Sequence, residues 1–239
     1  MSSDQKKAAP GQVPARSSRA DVDAFLTRLK TVPPAAGGRL IFAMDATASR
    51  EPSWDRACRI QGEMFQAADK VGRLAVQLCW YRGFDEFTAE PWVTDTADLL
   101  ARMTRVACRG GQTQIVRVLR HAAAETRRER VAALVFVGDC MEEDIDRLCH
   151  AAGELGLLGV PAFLFHEGGD PVARRAFEEV ARLTKGACCA FDAASADQLR
   201  DLLAAVAAYA AGGRRALEDF GRRRGGAALQ LTHRFAGRS

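Results

Sequence analysis

Residues 40–49 read Leu-Ile-Phe-Ala-Met-Asp-Ala-Thr-Ala-Ser, an apolar run followed directly by a polar loop. The apolar half has the length and composition of a buried strand. Asp45, Thr47 and Ser49 then place one carboxylate and two hydroxyls at alternate positions of the loop. Hard oxygens of this kind suit Mg²⁺, which takes only one or two carboxylates from its host. The structural alternative is an acid-capped turn in which the hydroxyls bond backbone amides.

Further along the chain, apolar strand-like runs alternate with helical patterns. The predicted strands are 39–44, 73–80, 131–137, 159–165 and 187–191, and the predicted helices are 53–70, 95–106, 113–128, 141–153, 171–184 and 195–211. This alternation predicts an α/β fold, a doubly wound and mostly parallel sheet with helices on both faces. A short piece within 85–93 is expected to pair antiparallel at one sheet edge.

The ends of the chain differ in composition from the body. Residues 1–20 are predicted to be a disordered extension, residues 21–37 a short helix and a linker, residues 38–211 the α/β domain, and residues 212–239 an Arg-rich, mostly flexible tail. The first segment carries a charge of +3 and the tail +5, so a total of +4 leaves −4 for the body. This balance argues against a nucleic-acid-binding face on the body. It leaves open whether the tail binds an acidic partner or is solvated.

Two residues are expected at the same sheet edge as the first loop. Asp139 follows the predicted strand 131–137, and Thr113 follows the Gly110-Gly111 turn that opens a predicted helix. Ligands of open α/β sheets bind where the carboxyl ends of the strands meet. The sequence therefore predicts that Asp45, Thr47, Ser49, Thr113 and Asp139 gather around one divalent cation.

These three segments resemble the motifs of a von Willebrand factor type A (VWA) domain with a metal-ion-dependent adhesion site. Asp45, Thr47 and Ser49 match the family's Asp-x-Ser-x-Ser motif, with Thr47 where serine is commoner. Thr113 matches its threonine after a Gly-Gly turn, and Asp139 its aspartate after a central strand. The resemblance covers about residues 38–211 and implies the Rossmann-like VWA fold of the bacterial intracellular type.

The resemblance also implies a function. It implies Mg²⁺, with Mn²⁺ as the alternative ion, held by the hydroxyls and aspartates with one position open for an acidic side chain of a partner protein. The implied molecule is a non-catalytic interaction module, and ATP-driven remodelling proteins or chaperones are the implied partners. Neutral hydroxyl ligands leave the ion enough positive charge to attract a foreign carboxylate.

Two other functions remain alternatives. One is a Mg²⁺-dependent hydrolase or phosphatase that uses Asp45, and the other is a structural domain with a vestigial metal site. The sequence contains no Gly-x-Ser-x-Gly elbow, Walker A loop or dinucleotide fingerprint, and Thr47 stands where a haloacid-dehalogenase-type phosphatase has its second aspartate. No catalytic residue is therefore assigned.

The remaining acidic and sulfur-containing residues receive structural roles. Glu142, Glu143 and Asp144 are expected to complement the dipole at the start of the helix that follows them. Cys188 and Cys189 are expected to be buried or strand-edge thiols, because no metal-ligand spacing accompanies them. Seven cysteines without a regular framework favour a reducing cytoplasm. No apolar stretch reaches the length of a membrane span, and no apolar leader follows Met1.

Overall fold

The computed structural model describes residues 19–31, 38–51, 74–191 and 201–212. The helices are α1 (Arg19–Thr31), α2 (Thr96–Met103), α3 (Ile115–Arg128), α4 (Ile145–Leu157), α5 (Pro171–Leu183) and α6 (201–212), with a 3₁₀ turn at Ala48–Arg50. The strands are β1 (Arg39–Asp45), β2 (Ala75–Arg82), β3 (Glu86–Ala89), β4 (Ala133–Gly138), β5 (Ala162–Glu167) and β6 (Ala187–Phe191). The predicted helix 53–70 and nearly all of both predicted terminal segments lie outside the described residues.

The strands form one sheet with β1 near its centre. The strand order is β3-β2-β1-β4-β5-β6, in which β3 alone runs antiparallel to its neighbour. The prediction of a mostly parallel sheet with one short antiparallel edge strand is confirmed. From β1 the chain moves outward to β2 and β3. It then returns to β4, which pairs with β1 on the side opposite β2, and continues outward to β5 and β6. The topological switch point, where α/β sheets bind ligands, therefore lies between β1 and β4.

Both faces of the sheet are covered by helices, which explains why its central strands are apolar throughout. All six residues of β4 are buried. Helices α1, α2 and α6 pack on one face around Phe42 and Val135, and helices α3, α4 and α5 pack on the other around Ile41 and Phe136. Alternate residues of the central strands thus enter opposite cores.

Helix α1, which contains the short helix predicted within residues 21–37, docks on the sheet. Phe25 and Leu29 are buried. The Phe25 ring lies 5.8 Å from the ring of Phe163 and 5.5 Å from that of Phe165, within the range of favourable aromatic pairs. The helix preceding β1 is therefore part of the described core. Within the residues described, no helix has the length and apolarity needed to cross a membrane.

Helix α4 differs most from its predicted bounds of 141–153. It begins at Ile145, because the Asp144 carboxylate accepts a hydrogen bond from the Arg147 N–H and caps the first turn. The prediction that it ends near Gly153 is wrong, since the helix continues to Leu157. A glycine weakens a helix by only about 1 kcal/mol, and the buried Leu155 holds the next turn against the core.

Candidate metal centre

Asp45 ends β1 and is completely buried. Its Oδ1 accepts a hydrogen bond from the Thr47 N–H at 2.7 Å, and its Oδ2 accepts one from the Tyr81 hydroxyl at 3.0 Å. Tyr81 is opposite Asp45 in the parallel register of β1 and β2. The carboxylate is therefore held in one orientation from both sides, with each oxygen retaining acceptor capacity.

A second carboxylate, that of the half-buried Asp139, acts electrostatically on Asp45. Burial raises the pKa of Asp45 above its ordinary value, and hydrogen bonds from the Thr47 side chain and backbone oppose the rise. The charge of Asp139 raises the pKa of Asp45 further, whereas the charge of Arg50 lowers it. Two carboxylates that repel each other in a low-dielectric setting favour either protonation or a cation.

Thr47 and Ser49 place their hydroxyls side by side on the loop after β1. The Thr47 Oγ1 lies 3.0 Å from the Ser49 Oγ, and Thr47 is buried whereas Ser49 is exposed. Neighbouring ligands of an octahedral ion at about 2.1 Å are themselves about 3.0 Å apart. The two hydroxyls therefore have the separation of adjacent Mg²⁺ ligands, and one of them faces solvent.

The loop that carries Thr113 lies against the loop after β1. Arg109 forms a parallel bridge with Thr47, and its N–H donates to the Ala46 carbonyl at 3.0 Å. On its other side, the Gln112 N–H donates to the Gly83 carbonyl at 3.0 Å. The 109–113 loop is thus held between the first motif and the β2–β3 turn.

Thr113 is also joined to the loop between β4 and α4. Its Oγ1 accepts a hydrogen bond from the Glu142 N–H at 3.0 Å, and its own N–H donates to the Glu142 Oε2 at 3.1 Å. A hydroxyl has two lone pairs, so one stays free after this contact. All three motif segments therefore adjoin one another at the carboxyl edge of the sheet.

Glu142, Glu143 and Asp144 were expected to act together at the start of α4, the helix that follows them. The structure does not show this arrangement. Only Asp144 caps α4. The Glu143 carboxylate accepts hydrogen bonds from the N–H groups of Ile115 and, at 2.9 Å, Val116, so it caps α3 instead. Burial raises the pKa of Glu143, and these backbone bonds and the Thr113 hydroxyl oppose the rise. Glu142 and Glu143 therefore fix the position of Thr113.

Asp139 lies directly after β4, on the other side of the switch point from Asp45. Its backbone carbonyl is 3.3 Å from the His166 Nε2. Its Oδ1 is buried and has no hydrogen-bond partner among the residues described. A Cβ at Gly138 would lie 2.8 Å from the Phe136 ring, so a side chain fits at this position only if that ring moves.

Arg50 is a site residue that the sequence analysis missed. Its guanidinium is buried and donates from Nη1 to the carbonyls of Asp45 and Val137, each at 3.2 Å. It also pairs with Glu167 at the end of β5, with an Nη2–Oε2 distance of 2.9 Å. Arg50 therefore ties together the carboxyl ends of β1, β4 and β5 beside the two carboxylates.

Tyr81 is a second site residue that the sequence pattern did not reveal, and several carboxylates act on its hydroxyl. Burial raises the pKa of Tyr81 well above its ordinary value, and the charges of Asp45, Glu143 and Asp139 raise it further. The phenol therefore stays protonated and acts as a hydrogen-bond donor. No pattern in the sequence distinguishes Tyr81 from an ordinary core residue.

Other candidate chemistry is weaker. Among the described residues, no group of three His, Cys, Asp or Glu side chains could hold a metal ion by itself. The candidate site therefore depends on its hydroxyl ligands.

Cys188 lies on the edge strand β6, and burial raises the pKa of its thiol to about 12. Such a thiol is a poor nucleophile at neutral pH. A cleft of about 280 Å³ opens beside Thr113, between Gln112 and Arg147.

The glycines of the 109–113 loop give a matched test of its placement. A Cβ on Gly111 would lie 1.9 Å from the Gly83 carbonyl oxygen, whereas a Cβ on Gly110 would meet nothing within 4 Å. We expect Gly111→Ala to lower the free energy of unfolding by about 1–3 kcal/mol, the usual range for overpacking. Gly110→Ala is expected to change it by less than about 0.5 kcal/mol. Urea unfolding measures both, and equal midpoints for the two variants would contradict this packing.

No protein-family model matches the sequence, and no curated protein sequence matches it. Solved structures do match the fold. The SpRpn10 VWA domain superposes with a TM-score of 0.54 at 12% identity, covering 66% of this chain and 88% of that one. The von Willebrand factor type A protein from Catenulispora acidiphila gives a TM-score of 0.59 at 16% identity, covering 73% of this chain and 43% of that one.

The PilB minor pilin from Streptococcus sanguinis is a third match, with a TM-score of 0.56 at 10% identity, covering 81% of this chain and 65% of that one. Identities this low establish the fold and nothing further. The strand order, the single antiparallel edge strand and these superpositions agree on one architecture. The chain has the fold of von Willebrand factor type A domains.

Proposed function

We propose that this chain is a non-catalytic protein-interaction module that binds an acidic side chain of a partner protein through Mg²⁺. The proposed ligands are Asp45, Thr47, Ser49, Thr113 and Asp139, and Mn²⁺ is the alternative ion. The observation that carries the proposal is the buried Oδ1 of Asp139, which lacks a hydrogen-bond partner among the residues described. A buried carboxylate oxygen is expensive unless a donor or a cation satisfies it.

The arrangement around Asp139 supports a cation as the missing partner. The raised pKa of Asp45 reflects in part the nearby charge of Asp139, so a divalent ion would relieve the repulsion between the two carboxylates. Thr47 and Ser49 offer a pair of hydroxyl oxygens 3.0 Å apart. Three of the five proposed ligands are neutral, so the ion would keep positive charge for an outside carboxylate.

Catalysis by Asp45 is less well supported. A nucleophilic carboxylate has to reach the phosphorus of its substrate. Asp45 is fully buried, and both of its oxygens accept hydrogen bonds, from the Thr47 N–H and the Tyr81 hydroxyl. Mg²⁺-dependent turnover of a generic phosphoester that is lost in Asp45→Asn would establish the hydrolase alternative and contradict the proposed function.

Ser49 allows the metal to be tested with little disturbance of the fold, because it is exposed and its hydroxyl contacts that of Thr47. We expect Ser49→Ala to weaken Mg²⁺ binding about tenfold, a loss of about 1.4 kcal/mol, with an unchanged melting temperature in EDTA. Calorimetric titration measures the affinity. Thr104→Ala is the control, since the exposed Thr104 hydroxyl bonds only carbonyls of its own helix end among the described residues. If the wild type binds neither Mg²⁺ nor Mn²⁺, the proposed function is contradicted. The alternative of a structural domain with a vestigial metal site would then remain.

Partner binding is tested by capture with Mg²⁺ and with EDTA. The proposal expects a protein that is retained in Mg²⁺, released by EDTA and not retained by Asp45→Ala. Equal retention by wild type and variant would contradict a metal bridge. ATP-driven remodelling proteins and chaperones are the first candidates. None of the six described cysteines forms a disulfide bond, which supports a reducing compartment such as the cytoplasm as the place to search.

A further inference from the structure

The rim beside the candidate metal centre carries an exposed basic residue in a fixed position. The Arg109 backbone pairs with that of Thr47 and donates to the Ala46 carbonyl at 3.0 Å. Its side chain is 73% exposed, and its described ion pair, with Glu86, is long at 3.9 Å. Arg109 therefore presents its charge to solvent next to a proposed metal ligand.

The acids near Arg109 are already engaged by other arginines. Glu86 contacts Arg82 at 2.7 Å, and Asp85 contacts Arg117 at 2.6 Å. These shorter contacts take up the negative charges of the β2–β3 hairpin. Arg109 is therefore less neutralised by nearby acids than Arg82 and Arg117 are. Its charge complements an acidic group of a binding partner.

An exposed aromatic residue lies on the turn that supports the same loop. Phe84 is 79% exposed, although large apolar side chains are usually buried. Its neighbour Gly83 accepts the hydrogen bond from the Gln112 N–H, and the close approach at Gly111 leaves no room for a side chain between the two loops. Phe84 and Arg109 are thus carried by two loops packed directly on each other.

We propose that Arg109 and Phe84 determine partner specificity by binding a second acidic side chain and an apolar side chain of the segment whose first acid meets the metal. This inference rests on the proposed function, because the first acid needs the ion. The two acids are expected to lie close together in that segment. An extended chain advances about 3.3 Å per residue, and the Arg109 backbone is one strand spacing, about 4.8 Å, from that of Thr47.

Selection from a random peptide display library on the full chain tests the pattern. Peptides are bound in Mg²⁺, eluted with EDTA and sequenced. With wild type, the eluted peptides are expected to share one acid, a second acid enriched about threefold nearby, and an apolar neighbour. Arg109→Gln is expected to lose only the enrichment of the second acid, and Phe84→Ser only that of the apolar residue.

Two controls away from the rim remove an exposed arginine charge and an exposed apolar side chain. Arg127 is exposed in the last turn of α3, and Leu157 is 92% exposed at the end of α4. Arg127→Gln and Leu157→Ser are expected to select the wild-type pattern, and melting temperatures establish that all four variants fold.

Each outcome has a distinct meaning. Equal enrichment of the second acid with wild type and Arg109→Gln, or no such enrichment with wild type, overturns the role of Arg109. The same comparison with Phe84→Ser decides the role of Phe84. If EDTA elutes no acidic peptides from wild type, the proposed metal-dependent function itself fails, and this inference fails with it.

Discussion

Replacement of Arg50 by Met is expected to lower the free energy of unfolding by about 3–5 kcal/mol, the usual effect of removing one member of a buried ion pair. The Arg50 side chain is fully buried, and that of Glu167 is only 14% exposed. The substitution would leave Glu167 without this partner and would remove the hydrogen bonds to the carbonyls of Asp45 and Val137. Urea unfolding of the full chain measures the loss.

A double substitution separates the ion pair from the carbonyl contacts. Glu167→Gln removes the charge that Arg50→Met leaves behind, so the double variant should be less destabilised than the sum of the two single variants. The exposed Arg182–Glu179 pair is the control, and Arg182→Met should leave the unfolding midpoint unchanged. A midpoint for Arg50→Met equal to that of wild type would mean that this pair contributes nothing to the fold.

The second large effect concerns Mg²⁺ and Asp139. At a Mg²⁺ concentration about 100 times its Kd, binding should add about 2.7 kcal/mol of stability. For a domain of this size, that raises Tm by about 5–10 °C. Asp139→Ala is expected to abolish this rise. In EDTA the Tm of the variant should not fall below that of wild type, because the buried Oδ1 has no hydrogen bond to lose among the described residues.

Asp45→Ala should behave differently, and the contrast makes the test specific. Asp45 accepts hydrogen bonds from the Thr47 N–H and the Tyr81 hydroxyl. Its removal strands two buried donors, at about 1–3 kcal/mol each, so the Tm in EDTA should fall as well as the response to Mg²⁺. Asp146→Ala, at an exposed position in the first turn of α4, is the carboxylate control. A Mg²⁺ response of wild-type size in Asp139→Ala would remove Asp139 from the proposed ligands.

The candidate ligands could be found in the sequence because each follows a strong local signal. Asp45 and Asp139 come directly after apolar strands, and Thr113 follows two glycines. Since parallel strands end at one sheet edge, the alternation of strands and helices was enough to predict that these residues approach one another. Metal binding itself stays a prediction.

The residues that support the site gave no such signal. An arginine after a polar loop is normally exposed, so nothing in the sequence predicted the burial of Arg50 under three strand ends. The contact of Tyr81 with Asp45 depends on strand register. Glu143 was assigned to the helix that follows it, whereas it caps α3 from a distant part of the chain.

The sequence by itself determined the fold class, the direction of the strands and the edge at which the polar residues lie. These properties follow from apolar periodicity and from turn residues, which act over a few positions of the chain. Only the tertiary structure decided which groups satisfy the buried charges. Arg50 forms an ion pair with Glu167, and the Tyr81 hydroxyl donates a hydrogen bond to Asp45. One buried oxygen of Asp139 has no hydrogen-bond partner among the described residues. Such pairings join segments far apart in sequence, and a buried polar group accepts whichever complementary partner the packing brings within hydrogen-bond distance.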